Sequence, residues 1–312
     1  MMKSNEVKIS VVVCTYNRAH LLPTCLESLM KQRIDNKIYE IVIIDNNSSD
    51  NTEDVVNRYM NSCDNMRLYH ETRQGLGSAR NKGWRKACGE YIAFIDDDAI
   101  ADKEWLGEII NAFERVSPRP SAVGGMITPS YTSYKKDWFL DNYETRTFGN
   151  DTRFLDRNDA LEGFSGSNMA IPKEILREYG GFEADMGMTG GKLKVGEETA
   201  FFNRIYDDQP YFWYDPNIRV EHLVPAKNMT VGYRLKRVFA AGLCKRRVHR
   251  ESASLRNIMI ILRRMLYESI ANLFRLDWRQ GYWQRVLLEY LTPIFYLLGS
   301  LTDNVLEIIR GC

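Results

Sequence analysis

Short apolar runs and helix-periodic segments alternate along the first third of the chain. The first run covers residues 8–15 (KISVVVCT), and apolar side chains then recur every three or four residues between Leu21 and Leu29. A β-branched run of this length is typical of a strand buried on both faces, and the spacing after it predicts an amphipathic helix. The alternation returns three times, with strands predicted at 39–45, 67–70 and 91–96 and helices at 52–60, 77–87 and 104–116. Four such units predict an α/β fold with a mostly parallel sheet and helices on both faces.

The pattern weakens after residue 130. Between residues 130 and 165 aromatic side chains stand among polar ones, so we expect a loop-rich segment whose aromatics either line a cleft or pack in a core. Apolar residues recur at helical spacing between 255 and 273, with arginines off that stripe, which predicts an amphipathic helix. Within residues 226–312 the longest charge-free run, residues 290–302, has 13 residues and contains Pro293, whereas a helix needs ~20 residues to cross a bilayer. We therefore predict no membrane span.

The net charge of +1 conceals two differently charged parts. Residues 1–225 carry 27 Lys and Arg against 35 Asp and Glu, and residues 226–312 carry 15 against 6. The acidic body disfavours nucleic acid as a partner, whereas the basic, aromatic-rich region suits an anionic membrane surface or an anionic acceptor. We predict one domain at 1–225 and a basic amphipathic helical extension at 226–312. The alternative is that this helix packs on the body and its arginines are simply solvated.

Six cysteines are scattered along the chain without a C-x-x-C pair, and the sequence does not open with a basic segment followed by an apolar one. These features argue against a disulfide framework, a zinc ribbon and an export leader. We expect a cytoplasmic protein, peripheral on the inner face of a membrane if the basic region binds lipid.

Polar side chains gather where three of the predicted strands end. Thr15 and Asn17 follow the first strand, Asp45 follows the second, and the acidic triplet 96–98 follows the fourth. Ligands of parallel sheets bind at the carboxyl ends of the strands, because loops and helix N-termini converge there. We predict one site at this edge, for a hydroxyl-rich ligand held by acceptor groups, with any phosphate bridged to the protein by a cation.

The triplet Asp96, Asp97 and Asp98 is the sharpest of these features. In an extended segment Asp96 and Asp98 point to the same face while Asp97 points elsewhere. Two carboxylates ~4 Å apart repel by about 4 kcal/mol at an effective dielectric constant of 20, and a hard divalent ion relieves that repulsion. Oxygen ligands favour Mg²⁺ or Mn²⁺. The alternative is a solvated acidic turn or a helix cap.

A glycine-containing loop at residues 75–83 (GLGSARNKG) invites comparison with dinucleotide-binding folds. The Rossmann fingerprint opens the helix after the first strand, whereas this loop follows the third, and its third glycine is misplaced. A Walker A loop is missing from the sequence as well. Hydride transfer and P-loop phosphoryl transfer are therefore disfavoured. What remains is a helix N-terminus with Arg80 and Lys82 that suits a nucleobase or a diphosphate.

Seven stretches in this order resemble the family 2 glycosyltransferases of the GT-A fold, over about residues 8–222. They are VVVCTYNR (11–18), DNNSSD (45–50), GLGSARNKG (75–83), FIDDDA (94–99), GSNMAI (166–171), GEETAFFNRI (196–205) and His222. The resemblance implies inverting transfer of a sugar from a nucleoside-diphosphate sugar. We expect a UDP-sugar as donor and a hydroxyl of a polysaccharide or a lipid-linked glycan as acceptor.

The resemblance also implies roles for single residues. Asp45 would contact the nucleobase, Arg80 the base or the phosphates, and Asp96 the ribose. The whole predicted nucleotide-sugar site comprises Thr15, Asn17, Arg18, Asp45, Arg80, Asp96 and Asp97. The predicted ligands of Mn²⁺ or Mg²⁺ are Asp98, Asp96 and His222, and the residues expected near the donor sugar and the acceptor are Gly166, Ser167 and Asn168.

Glu197 and Glu198 stand where this family usually has Glu-Asp, with the Asp as general base. A positioned base typically contributes 10² to 10⁴ in rate. We expect Glu198 to be the base and keep Glu197 as the second candidate. The alternative is that both simply occupy the first turn of a helix, where acidic residues favour the helix dipole.

Two other functions fit parts of this pattern. A sugar nucleotidyltransferase uses a similar sheet, but its glycine-rich basic loop after the first strand is missing here. A non-catalytic glycan-binding or scaffold protein could keep the fold, although the intact acidic triplet and the Glu197–Glu198 pair count against it.

Overall fold

The computed structural model describes residues 7–184, 196–249 and 282–311. These residues form two compact units, which we call the sheet unit and the helical unit. The sheet unit contains residues 7–130, 144–184 and 197–223, and the helical unit contains 131–143, 196, 224–249 and 282–311. The predicted helix at 255–273 lies outside the described residues. The division into domains at 1–225 and 226–312 stays a prediction.

A nine-stranded sheet, counted over the described residues, forms the centre of the sheet unit. Its strands are β1 (Ile9–Thr15), β2 (Tyr39–Asp45), β3 (Met66–His70), β4 (Tyr91–Asp96), β5 (Ala99–Ala101), β6 (Ala122–Tyr131), β7 (Arg153–Phe154), β8 (Met169–Pro172) and β9 (Phe212–Val224). They lie in the order β3-β2-β1-β4-β8-β6-β9-β5, with β7 beside β9.

Strands β1 to β4 form the parallel half of this sheet. In its register Val11 pairs with Ile41 on one side and with Ala93 on the other. Strand β8 joins β4 in the antiparallel sense, and β5 and β7 both pair with β9 in that sense. The predicted α/β class is confirmed, and the parallel pairing observed joins β1 to β4, since β8 joins β4 and β6 joins β8 antiparallel.

Nine α-helices lie in the described part of the chain, seven of them in the sheet unit and the last two in the helical unit. They are α1 (Leu22–Met30), α2 (Thr52–Met60), α3 (Leu76–Lys86), α4 (Trp105–Arg115), α5 (Arg157–Glu162), α6 (Lys173–Glu178), α7 (Glu197–Ile205), α8 (Val231–His249) and α9 (Tyr282–Gly311). The first four agree with the predicted helices to within two residues.

Alternate residues of β1 build two separate cores. Val11 and Val13 pack with α1, α2 and α4 on one face of the sheet, whereas Val12 packs with α3, α6 and α7 on the other. Each fully buried side chain of this kind contributes about 1.5–3 kcal/mol. Helix α3 packs very close to the sheet, since a Cβ at Gly83 would lie 2.3 Å from a methyl carbon of Val12. Helices therefore cover both faces, as predicted.

The helical unit has a core of its own. Trp138 and Phe139 are buried there with Leu235 of α8 and Leu288 of α9, so these aromatics of the predicted loop-rich segment pack in a core. Arg285 of α9 fixes the segment, because its Nε donates to the carbonyl of Trp138 at 2.9 Å. Among the described helices, none is both long and apolar enough to cross a bilayer.

Candidate active site

The carboxyl ends of three parallel strands meet at one edge of the sheet. In the register of the sheet Thr15 is opposite Asp45, and Cys14 is opposite Asp96. The predicted meeting of these strand ends is therefore observed. Thr15 and Asp45 are both buried at this edge.

Asn17 organises the loop after β2. Its backbone has a φ of +52°, and its Oδ1 accepts hydrogen bonds from the backbone N–H of Ser49 (2.7 Å) and of Asp50 (3.3 Å). Asp45 caps the same loop, because its Oδ1 accepts from the N–H of Ser48 at 3.0 Å. The side-chain oxygen of Asn17 is thus engaged by protein groups, and its direct contact with a nucleotide stays a prediction.

His70 faces Asp45 from the end of β3. Its Nδ1 lies 3.4 Å from Oδ2 of Asp45, and half of its side chain is exposed. The sequence analysis did not select this histidine, and its position at the end of a predicted strand is the one signal that could have done so.

Arg18 binds two members of the acidic triplet. Its Nη1 donates to Oδ1 of Asp97 and to Oδ2 of Asp98, both at 2.8 Å. Burial raises the pKa of Asp97 to about 7, and the neighbouring Asp98 charge acts in the same direction while Arg18 opposes it. Arg18, Asp97 and Asp98 therefore form one charge cluster.

The predicted pairing of Asp96 with Asp98 on one face is not what the structure shows. Strand β4 ends at Asp96, and residues 97 and 98 form a turn, so the alternation of an extended chain stops there. Asp97 and Asp98 converge on Arg18, whereas Asp96 accepts a short hydrogen bond from Oγ of Ser167. A metal-binding role for Asp96 stays a prediction.

His222 lies beside Asp98 because β5 and β9 pair with Ala99 opposite His222. The imidazole Nε2 is 3.4 Å from Oδ1 of Asp98, and Nδ1 is 3.9 Å from Oε2 of the buried Glu144. Burial alone would lower the pKa of His222, but the two carboxylates outweigh it and raise that pKa. Burial would raise the pKa of Asp98, but His222 and Arg18 outweigh burial and lower that pKa. Glu144 was missed by the sequence analysis, since it belongs to no motif.

The Asp98–His222 pair fits a divalent metal ion. A carboxylate oxygen and an imidazole nitrogen are ligands that Mn²⁺ accepts, and they face each other in a partly buried position. Within the described ranges no cluster of three or more His, Cys, Asp or Glu side chains is arranged as a complete metal site. An ion bound here would take its remaining ligands from water or from phosphate oxygens, as Mg²⁺ commonly does.

Arg80 forms the second charge cluster of the site. Its side chain is 2% exposed, and its Nη1 lies 2.8 Å from Oε1 of Glu197 and 3.0 Å from Oε1 of Glu198. Its Nη2 lies 3.4 Å from Oδ1 of Asp96. The guanidinium thus has three carboxylate partners, and its predicted contact with a nucleobase or phosphates stays a prediction.

Glu197 and Glu198 differ sharply in their access to solvent. The side chain of Glu197 is 3% exposed and that of Glu198 is 19% exposed. Burial raises the pKa of Glu197 to about 8, and the charge of Glu198 adds to this effect while Arg80 opposes it. Oε1 of Glu198 also accepts from the backbone N–H of Gly166 at 3.1 Å. Of the two carboxyl groups, Glu198 is the more accessible one.

Asn168 has a scaffold position. Its Nδ2 donates to the carbonyls of Ile218 (2.8 Å) and Met126 (3.0 Å), and its Oδ1 accepts from Nε1 of Trp105 at 2.8 Å. With 1% exposure the amide connects three segments of the fold. These hydrogen bonds of Asn168 are made within the protein interior, and the predicted position of Gly166, Ser167 and Asn168 near the sugar stays a prediction.

The sequence model described as glycosyl transferase family 2 matches residues 10–180, which is more than half of the chain. The chain belongs to this family and is a glycosyltransferase. This confirms the resemblance and the enzyme class predicted from the sequence.

Individual relatives of this glycosyltransferase are distant. It is 26% identical to the glucosyl-dolichyl phosphate glucuronosyltransferase of Haloferax volcanii, over 77% of either chain. It is 24% identical to the GalNAc(5)-diNAcBac-PP-undecaprenol beta-1,3-glucosyltransferase of Campylobacter jejuni, over 72% of this chain and 68% of that one. The fold is similar to that of the mannosyltransferase PcManGT from Pyrobaculum calidifontis, solved with GDP-Man and Mn²⁺, with a TM-score of 0.65, 18% identity and coverage of 97% and 89% of the two chains.

Proposed function

We propose that this glycosyltransferase moves a sugar, with inversion, from a nucleoside-diphosphate sugar to a hydroxyl of a lipid-linked glycan or a polysaccharide. The observation that carries the proposal is that the same groups contact both Asp96, a residue of the predicted donor site, and Glu198. Arg80 contacts both carboxylates. In the turn at residues 166–167, Ser167 donates to Asp96 and Gly166 donates to Glu198. The Haloferax and Campylobacter relatives carry dolichyl phosphate and undecaprenol in their names, which supports a lipid-linked acceptor.

Glu198 is the general base in this proposal. The acceptor oxygen forms its bond to the anomeric carbon while the bond from that carbon to the diphosphate breaks, and the hydroxyl proton passes to the Glu198 carboxylate. A base has to reach its substrate, and 19% exposure favours Glu198 over Glu197 at 3%. Attack opposite the leaving group inverts the configuration at the anomeric carbon.

The diphosphate of the donor belongs near Asp98 in this proposal. Asp98 and His222 would hold Mn²⁺ or Mg²⁺, which when bound stabilises the departing diphosphate as a Lewis acid. Arg18 is partly exposed beside Asp98 and would contact the same phosphates. Asp45 would bind the nucleobase from the neighbouring strand end, for which we propose uracil.

Nucleotide release from UDP-glucose, UDP-GlcNAc, UDP-glucuronate and GDP-mannose with Mn²⁺ tests the proposal. One donor should turn over, Glu198→Gln should lower its rate about 10²- to 10⁴-fold, and Asp98→Ala should abolish the Mn²⁺-dependent reaction. The exposed Glu53→Gln, also in the first turn of a helix, is the matched control and should be fully active. Full activity of Asp98→Ala would exclude the metal site, and full activity of Glu198→Gln would exclude this base.

We further propose that helix α9 contacts an anionic membrane surface. Trp283, Leu287, Leu298 and Leu301 are exposed on α9, and at 100° per residue they fall within an arc of about 60°. An apolar stripe of this kind beside basic residues is typical of helices that lie in the membrane interface. Residues 226–312 supply the charge, with 15 Lys and Arg against 6 Asp and Glu.

Sedimentation with phospholipid vesicles tests this contact. The full chain should bind vesicles that contain phosphatidylglycerol better than vesicles of phosphatidylcholine alone, and the double variant Trp283→Ser, Leu287→Ser should lose most of that binding. Tyr134→Ser, which removes an exposed aromatic ring outside α9, is the matched control. Equal sedimentation of the double variant and the wild-type protein would contradict the proposal.

A further inference from the structure

Arg80 is a fully paired cation inside the protein. Moving a guanidinium from water into the interior costs several kcal/mol unless its charge is compensated. The groups that compensate the charge of Arg80 therefore indicate its role. The partners come from two elements that are distant in sequence, because Asp96 ends β4 while Glu197 and Glu198 begin α7. The guanidinium also lies over the ring of Phe182, with 5.7 Å between its central carbon and the ring centroid.

The two terminal nitrogens of Arg80 divide these partners. Nη1 contacts both glutamates, at 2.8 Å and 3.0 Å, and Nη2 contacts Asp96 at 3.4 Å. A planar guanidinium spans two such sites at once, whereas the ammonium of a lysine is a single point charge. The arginine therefore ties the start of α7 to the end of β4 in a way that a lysine cannot.

Two contacts hold the same oxygen of Glu198. Oε1 forms an ion pair with Nη1 of Arg80 at 3.0 Å and accepts a hydrogen bond from the backbone N–H of Gly166 at 3.1 Å, and together these contacts restrain the direction of the carboxylate. The fit is tight, because a Cβ at Gly166 would lie 1.8 Å from Nη2 of Arg80 and 2.4 Å from Oε1 of Glu198. A base held by a third group keeps the orientation that proton transfer requires.

We propose that Arg80 is a positioning residue that acts through Glu198, rather than a contact of the nucleotide. The inference rests on the proposed function, in which Glu198 is the base. In this proposal Arg80 orients the carboxylate of Glu198, and displacing a catalytic group by about 1 Å can lower the rate about 10²-fold. Removal of Arg80 should therefore lower kcat and leave the affinity for the nucleotide almost unchanged.

Arg80→Lys keeps the charge and removes the second nitrogen. We expect kcat for donor turnover to fall about 100-fold, while the Kd of UDP with Mn²⁺, measured by calorimetry, changes less than threefold. The control is Arg85→Lys, an exposed arginine on the same helix, which should change neither quantity. A Kd raised tenfold or more with kcat unchanged would make Arg80 a nucleotide contact and overturn the inference, as would wild-type values for both quantities.

A double-variant cycle separates a positioning role from a general loss of structure. If Arg80 acts through Glu198, then Arg80→Lys combined with Glu198→Gln should be no slower than Glu198→Gln alone. A further tenfold loss in the double variant would contradict the inference. If Arg80→Lys does not fold, Gly166→Ala displaces the same contacts without changing a charge, and it should lower kcat with UDP affinity retained. Full activity of Glu198→Gln would instead refute the proposed base itself.

Discussion

Glu197→Gln should remove a large pH dependence of stability. The folded protein raises the pKa of this buried carboxyl from 4.5 to about 8, so it holds the proton over a range in which the unfolded chain releases it. The stabilisation that results is complete below pH 4.5 and is lost as the pH rises through about 8. At about 1.4 kcal/mol for each pKa unit, the change amounts to roughly 5 kcal/mol at most.

Urea unfolding followed by tryptophan fluorescence from pH 5 to pH 9 measures this effect. The free energy of unfolding of the wild-type protein should fall by several kcal/mol relative to that of Glu197→Gln across this range, because glutamine does not titrate. Glu53→Gln is the matched control, since Glu53 is 59% exposed in the first turn of a helix of equal length. Parallel curves for the wild-type protein and Glu197→Gln would refute the reasoning.

The same variant separates the two glutamates in function. Because burial raises its pKa to about 8, the Glu197 carboxyl is mostly protonated at pH 7, and glutamine has nearly the shape of the protonated acid. Glu197→Gln should therefore keep transfer activity within about tenfold at pH 7, whereas Glu198→Gln loses 10² or more. The reverse order of activities would make Glu197 the base.

Two more results are expected. Asn168→Ala should destabilise the protein by about 3–5 kcal/mol, because Trp105 Nε1 and the carbonyls of Met126 and Ile218 lose their buried hydrogen-bond partner. Thermal unfolding measures this loss of stability, and the affinity for UDP should stay unchanged. Chelation of divalent ions should weaken UDP binding about 100-fold in calorimetry, because like charges then meet, and equal affinity with and without ions would contradict this expectation.

The parallel half of the fold could be predicted from the sequence because its strands are uninterrupted apolar runs. Strand β9 could not, since its 13 residues include Asp215, Pro216 and Asn217, which normally signal a turn. Its burial alternates along the strand, and it pairs with β5 and β7 through different segments. Pairings between such distant segments leave no local pattern in the sequence.

In the site, too, some features could be predicted from the sequence and others could not. The placement of Asp45, Asp96 and Asp98 at one edge of the sheet could be predicted, because Asp45 and Asp96 end apolar strands and Asp98 lies two residues further on; their roles stay predictions. The partners of Arg80 could not, since 117 residues separate it from Glu197, and neither periodicity nor spacing reports a contact at that distance. An extended acidic triplet was predicted, whereas strand β4 ends at Asp96, two residues before the end of the triplet.

The charges of the site favour a cation beside any diphosphate that binds here. Six carboxylates lie in the two charge clusters and beside His222, namely Asp96, Asp97, Asp98, Glu144, Glu197 and Glu198. Five of these carboxylates, those of the acidic triplet and of Glu197 and Glu198, are paired with Arg18, Arg80 and His222, so acids outnumber cations in the two charge clusters even when Glu197 carries a proton. Both arginines are already neutralised by carboxylates. An anionic diphosphate would meet net negative charge, and a divalent ion held by Asp98 and His222, as proposed above, would offset that charge beside the leaving group.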